Sequence, residues 1–349
     1  MTISPLRRLQ GVIAVSAALA ALATGCGNGS DEAAGTTGDT KTVRVGVGGE
    51  SLLVYLPTML AQRLHYYRGE GVPVKFQELQ SGSKALEAFQ GGSVDVVSGY
   101  YDHTIQMQAK HRDTESFVNM LRYPSVVLVV SPKAGRKINS IADLKGAKVG
   151  VTAPGSSSDF FLKRLLVGNG LKEDAAHTVA VGGGPSAVAA MERGLVDAAV
   201  MIDPSVEQLQ KRVGADKAKI LVDTRTEQGV RQAYGVSTYP AAVLYSSHSW
   251  INGHEKQVRG LSAAIVHALK YINTHSAEEI AATMPAEYAG GDPKSYVKSI
   301  EAAKAAYSTD GRIQADGANA VYEVLSRSIP EVGRAHIDLK KTYTNAYLP

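Results

Sequence analysis

Val149-Gly150-Val151-Thr152-Ala153-Pro154-Gly155-Ser156-Ser157-Ser158-Asp159-Phe160 is the stretch that decides the fold of this 349-residue chain. Lys148 to Thr152 has the short β-branched run of a buried strand, and Ala153-Pro154-Gly155 breaks it. Ser156, Ser157, Ser158 and Asp159 then open an apolar run at helical spacing through Phe161, Leu162, Leu165 and Leu166. Ser156 with Asp159 three residues on reads as a helix N-cap signal. A strand therefore ends, turns, and presents free N–H groups and hydroxyls at the positive end of a helix, which suits an anionic or strongly polar ligand group. The competing reading is an ordinary βα turn whose serines only cap.

The device occurs twice. Val45-Gly46-Val47 is followed by Gly48-Gly49-Glu50-Ser51 and the apolar residues Leu52, Leu53, Tyr55 and Leu56, an offset of 104 residues. Gly91-Gly92-Ser93-Val94-Asp95 likewise matches Arg193-Gly194-Leu195-Val196-Asp197 at an offset of 102. Two landmarks in one order at nearly one offset predict two similar α/β units. Ligands of open α/β sheets sit beyond the carboxyl ends of the strands, so two facing units would form a cleft with turns from both pointing inward.

Composition narrows the function. The net charge is +4 with no long basic block, which argues against a nucleic-acid partner. Tyrosine dominates the aromatics, sixteen against five phenylalanines and one tryptophan, and tyrosine can stack and hydrogen-bond at one site. No metal site, dinucleotide fingerprint, Walker sequence or nucleophile elbow is present in the sequence. No cofactor, metal or catalytic residue is expected.

Residues 1–25 read as an export signal, with Arg7 and Arg8 before the apolar run Gly11–Ala23, too short to span a bilayer. The ending Leu22-Ala23-Thr24-Gly25-Cys26 resembles a bacterial lipobox, with Cys26 as the lipidated residue. Cys26 is the one cysteine, so the chain has no internal disulfide and no second thiol nucleophile. Residues 26–40 read as a flexible tether. The first lobe is expected over 41–128 and 241–349, and the second over 129–240. The apolar runs near Ser125–Lys133 and at Tyr239–Tyr245 are read as the crossings between them.

The candidate ligand-binding residues are those of the strand-end turns: Glu50, Ser51, Gln80, Ser81, Gly82, Tyr100, Tyr101, Asp102, His103, Ser156, Ser157, Ser158, Gly184 and Asp203. The Tyr100–His103 group stands out, since adjacent tyrosines beside an acid and an imidazole are rarely needed for a turn. No arginine is expected at these turns.

The ordered set Lys41–Gly46, Phe89–Asp95, Ile141–Val151, Val200–Pro204 and Ile337–Leu348 resembles the solute-binding proteins of bacterial ABC importers for nitrate, taurine and alkanesulfonates, a family that includes pyrimidine-precursor binders. The resemblance implies an α/β type II periplasmic-binding-protein fold, two lobes joined by two β crossovers with a solute trapped between them. It implies a monomer without enzymatic activity, lipid-anchored on the extracytoplasmic face of the cell membrane, that delivers its solute to an ABC permease and ATPase complex. A sulfonate, taurine, nitrate or related small organic anion is the expected solute, and an aromatic or pyrimidine-type solute the alternative. A pyrimidine-precursor-synthase-like enzyme on the same fold, and a sensing lipoprotein, are further alternatives.

Overall fold

The computed structural model describes residues 42–349. Cys26, the export signal and most of the tether lie outside the described residues. Ten strands are present among them: β1 Val43–Val47, β2 Val74–Glu78, β3 Val96–Tyr100, β4 Thr114–Asn119, β5 Val126–Val130, β6 Lys148–Val151, β7 His177–Ala180, β8 Ala198–Ile202, β9 Ile220–Asp223 and β10 Ala242–Ser247. They form two five-stranded sheets, ordered β2-β1-β3-β10-β4 and β7-β6-β8-β5-β9. Each keeps its first three strands parallel and inserts one antiparallel strand, β10 or β5, before the last. The two sheets share one topology, with β1 in the place of β6 and β3 in the place of β8. The chain thus has the α/β two-lobed type II architecture that the internal repeat and the resemblance pointed to.

Burial follows position in the sheet. The inner strands β3, β5 and β8 are buried at every residue, as continuous apolar runs flanked on both faces should be. The edge strands β2, β7 and β9 are only partly covered. The remaining edge strand, β4, is buried throughout because the C-terminal tail pairs with it, Tyr343 bridging to Ser116 in parallel. A sheet edge closed in this way offers no free ladder.

The apolar runs read as crossings belong to the sheets themselves. β5 lies between β8 and β9, and β10 between β3 and β4. The chain passes from the first sheet to the second between Asn119 and Val126, and returns between Asp223 and Ala242. Val-Val-Leu-Val-Val cannot serve as an exposed link, because its burial requires a neighbour on each side. A boundary drawn at 128/129 divides β5. Strands β4 and β9 and the helices Ser205–Val213 and Glu227–Tyr234 were not anticipated from the sequence.

C-terminal helices lean on the second sheet's helices. Lys298 pairs with Glu207 at 2.8 Å, Lys211 pairs with Asp292, and Gly317 packs beneath Pro240. Among the described residues no helix is long and apolar enough to cross a membrane.

Candidate interlobe solute site

The carboxyl ends of β1, β2 and β3 face those of β6, β7 and β8. Between them lies a cleft of about 720 Å³, walled by Ser51, Gln80 and Ser81 from one lobe and by Thr152 and Gly182–Ser186 from the other. An inner recess of only about 20 Å³ lies beside Gly48, Gly82, Tyr55, Tyr100, Ile202 and Ser156–Ser158, room for about one water molecule. The lobes are closed on each other. Leu53 N–H donates to the Asp203 carbonyl at 2.9 Å, and the Leu52 side chain fills the space that a Cβ on Gly183 would need, 2.7 Å away. Gly48 meets the same demand within the first lobe, where a Cβ would stand 2.8 Å from the Gly82 nitrogen at the start of the helix Gly82–Gln90.

The three serines divide their work. Thr152 donates its hydroxyl to Ser156 Oγ at 2.7 Å, and Ser156 donates onward to the Ala153 carbonyl at 2.7 Å. Ser158 Oγ accepts the Thr152 N–H at 2.9 Å and lies 2.8 Å from Ser156 Oγ. This hydroxyl knot is buried and satisfied within its own turn. Ser156 occupies the N-cap position of the helix Ser157–Gly168 but makes no side-chain cap bond. Asp159, in the first turn, reaches back past the N-cap to accept Gly155 N–H at 2.9 Å and pairs with Lys163 at 3.1 Å. The expected Ser156 cap is therefore corrected: the left-handed Gly155 turns its own N–H toward the Asp159 carboxylate, while Ser156 bonds back to Ala153.

Ser157 faces the other lobe. Its hydroxyl donates to Asp102 Oδ1 at 2.8 Å. Asp102 is 2 % exposed, and burial pushes its carboxyl up to about 7, against the Ser157 hydroxyl and the His103 backbone, which favour the charged form. His103 is fully buried, and neither ring nitrogen has a hydrogen-bond partner among the described residues. Burial pulls its imidazole down to about 4, opposed by the Gly155 backbone and assisted by the charge of Lys110. The ring sits edge-on to Phe160 and Tyr245, with Gly82 leaving it room.

The other sequence candidates separate clearly. Tyr100 reaches the recess, edge-on to Tyr55, and donates to the Pro124 carbonyl at 2.7 Å. Tyr101 points away: it is fully buried, with its hydroxyl 2.6 Å from Thr342 Oγ1 and its ring against Tyr343. Its place in the binding set is corrected to an anchor for the C-terminal tail. Glu50 accepts the Tyr288 hydroxyl at 3.3 Å, and burial followed by the charge of Glu78 raises its carboxyl. Ser81 caps its helix by accepting Lys84 N–H at 3.2 Å. Gly184 is the N-cap of the helix Pro185–Arg193 and lies opposite Ser51.

Asp203 carries a further correction. It pairs with Arg225 at 2.9 Å, and Arg225 also grips Asp223 at 2.6 Å. Burial raises the Asp203 carboxyl and Arg225 opposes the shift. An arginine does occupy a strand-end turn, the one after β9. It escaped notice because Ile220–Asp223 was not read as a strand. Tyr55 and Leu52 were seen only as part of an apolar run, although the excess of tyrosine was the available signal.

A solved protein from Bordetella bronchiseptica RB50 is 36% identical, with a TM-score of 0.83, covering 88% of this chain and 95% of that one. The alkanesulfonate-binding protein SsuA from Xanthomonas axonopodis pv. citri, solved with MOPS bound, shares the fold at 17% identity and a TM-score of 0.68, covering 87% of this chain and 98% of its own. A curated relative, the 4-amino-5-hydroxymethyl-2-methylpyrimidine phosphate synthase of Schizosaccharomyces pombe, is 31% identical over 101 residues, and the match spans 29% of each chain. Residues 54–279 match the family model described as NMT1/THI5 like, and the chain, with the two-lobed fold of the type II periplasmic binding proteins, belongs to that family.

Proposed function

We propose that this chain is the extracytoplasmic solute-binding component of an ABC importer. It captures a small organic solute between its lobes and hands it, unchanged, to a permease and ATPase complex. The observation that carries this reading is the convergence of strand ends from both lobes on one cleft, with Ser157 and Asp102 bonded across it. Binding at such a junction couples solute capture to lobe closure. Ser51, Gln80, Ser81, Gly82, Tyr100, Asp102, His103 and Gly184 are the proposed binding set, joined by Tyr55, with Ser157 as the donor that closes lobe two onto Asp102. In this reading Cys26 carries the lipid anchor and the protein acts as a monomer.

Among solutes, a sulfonate, taurine or nitrate and an aromatic or pyrimidine-type molecule were both open. The recess walls, Leu52, Tyr55 and Tyr100, favour a ring. The synthase in fission yeast favours a second reading, a pyrimidine-precursor enzyme on this scaffold. Native mass spectrometry of protein purified without refolding tests both. The expected result is one small molecule released intact after incubation. A released molecule chemically altered by the protein would replace capture with catalysis, and a protein that takes up nothing from cell extract would remove the binding role. Cys26→Ser should abolish partitioning into detergent, and unchanged partitioning would remove the anchor.

A further inference from the structure

Three buried aspartates stand at the strand ends of the cleft, and two of them already have a cation. Asp159 has Lys163 and Asp203 has Arg225. Asp102 forms no ion pair among the described residues; its side chain is met by the Ser157 hydroxyl from the opposite lobe. A buried carboxylate must keep its donors; the His103 backbone stays with Asp102, and the Ser157 hydroxyl leaves whenever the lobes part.

Part of the turn that would hold an anion is already in use. The Gly155 N–H, just before the N-cap of the helix Ser157–Gly168, points at the Asp159 carboxylate, and the hydroxyls of Ser156 and Ser158 are tied to Thr152 and Ala153. The lobe-two turn thus already carries a carboxylate of its own, Asp159, while the lobe-one turn offers Asp102 as an acceptor. A buried carboxylate with no cation beside it attracts positive charge and resists a second anion.

We propose that Asp102 is the polar anchor of the solute site, taking an N–H donor of a planar amine- or amidine-bearing solute in place of the Ser157 hydroxyl, and that simple sulfonate and nitrate anions are rejected there. The proposal rests on the solute-capture reading above and specifies its chemistry. Exchange of Ser157 for the solute keeps the number of donors on Asp102 the same in the closed unliganded and the liganded protein. Selectivity then comes from the partner Asp102 accepts.

Benzamidine and benzoate test this directly, because they share a ring and a planar head and differ in the sign of the charge. Calorimetric titration of the whole protein with both, and with 4-aminopyrimidine, ethanesulfonate and nitrate, should show benzamidine or 4-aminopyrimidine binding at least about tenfold tighter than any anion. Asp102→Asn, which can still accept from Ser157, should reduce that preference to less than about threefold. Ser157→Ala should preserve or strengthen binding of the donors by removing their competitor, and it keeps the test open if the Asp102 variant fails to fold. An anion bound more tightly than both donors, an undiminished preference in Asp102→Asn, or no binding of either donor would overturn the anchor. Uptake of some other solute from cell extract in those cases leaves capture standing; uptake of none removes both.

Discussion

Asp197 and Lys148 form a reciprocal pair: the Asp197 carboxylate accepts the Lys148 N–H at 2.9 Å, and the Asp197 N–H donates to the Lys148 carbonyl at 2.8 Å. Asp95 does the same with Arg44 in the other lobe, at 2.9 and 2.8 Å. The repeated Val-Asp corner thus ties the starts of the equivalent strands β1 and β6, at the end remote from the cleft. Asp197→Ala and Asp95→Ala should each cost about 1–3 kcal/mol, adding in the double variant because the sites lie in different sheets. Urea unfolding measures this, and solute affinity should hold. A loss of affinity without a loss of stability would contradict the assignment.

Asp102 and His103 should compensate each other as pH changes. Asp102, raised to about 7 from 3.8, stabilises the fold below 3.8 and loses that contribution as pH rises through about 7. His103, lowered to about 4 from 6.5, stabilises it above 6.5 and loses that contribution as pH falls through about 4. Between these limits the folded pair holds its proton on Asp102 and the unfolded pair on His103, so the two slopes cancel. Asp102→Asn should expose the histidine, with stability rising by up to about 1.4 kcal/mol per pH unit over that window. His103→Leu should expose the aspartate, with a slope of opposite sign. Denaturant unfolding at pH 4.5, 5.5 and 6.5 reads both, and equal slopes in all three proteins would refute the compensation.

Ser157 and Ser158 should behave oppositely despite being neighbours. Ser158→Ala breaks a buried knot around Thr152 and should lower stability by about 1–3 kcal/mol. Ser157→Ala removes an interlobe bond and should leave unfolding nearly unchanged while increasing the radius of gyration of the unliganded protein. Small-angle scattering beside a thermal melt separates them; a compact Ser157 variant with a lowered melting temperature would reverse the assignment.

Tyr101→Phe should cost about 0.5–1.5 kcal/mol through the lost Thr342 contact and leave solute titration curves superimposable on the parent's. A weakened affinity at full stability would return Tyr101 to the cleft.

The repeat made the fold legible in the sequence. Val45 and Val149 lie in equivalent strands because each precedes the same turn, and that required no long-range information. What failed depended on partners distant in sequence. Val126–Val130 looks like a link until β8 and β9 flank it. Tyr101 looks like its neighbour Tyr100, and the difference is made by Thr342, 241 residues away. The site was partly legible for the same reason. Its turns are local and were found, whereas Arg225, Tyr55 and the Ser157–Asp102 bond come from the meeting of two lobes. The Ser156 cap fails because its hydroxyl is spent on the Ala153 carbonyl within the turn.

The C-terminal tail sets an order of events. The second sheet draws on an unbroken stretch, Val126 to Asp223, and every strand it needs exists once that stretch is made. The first sheet waits for β10, and its edge at β4 stays open until Thr342, Tyr343 and Thr344 arrive to close it. A chain emerging from the ribosome therefore completes the lobe it began later before the lobe it began first. During that interval β1 to β4 have neither the strand between β3 and β4 nor a covered edge, so this is the segment a holding chaperone would need to shield.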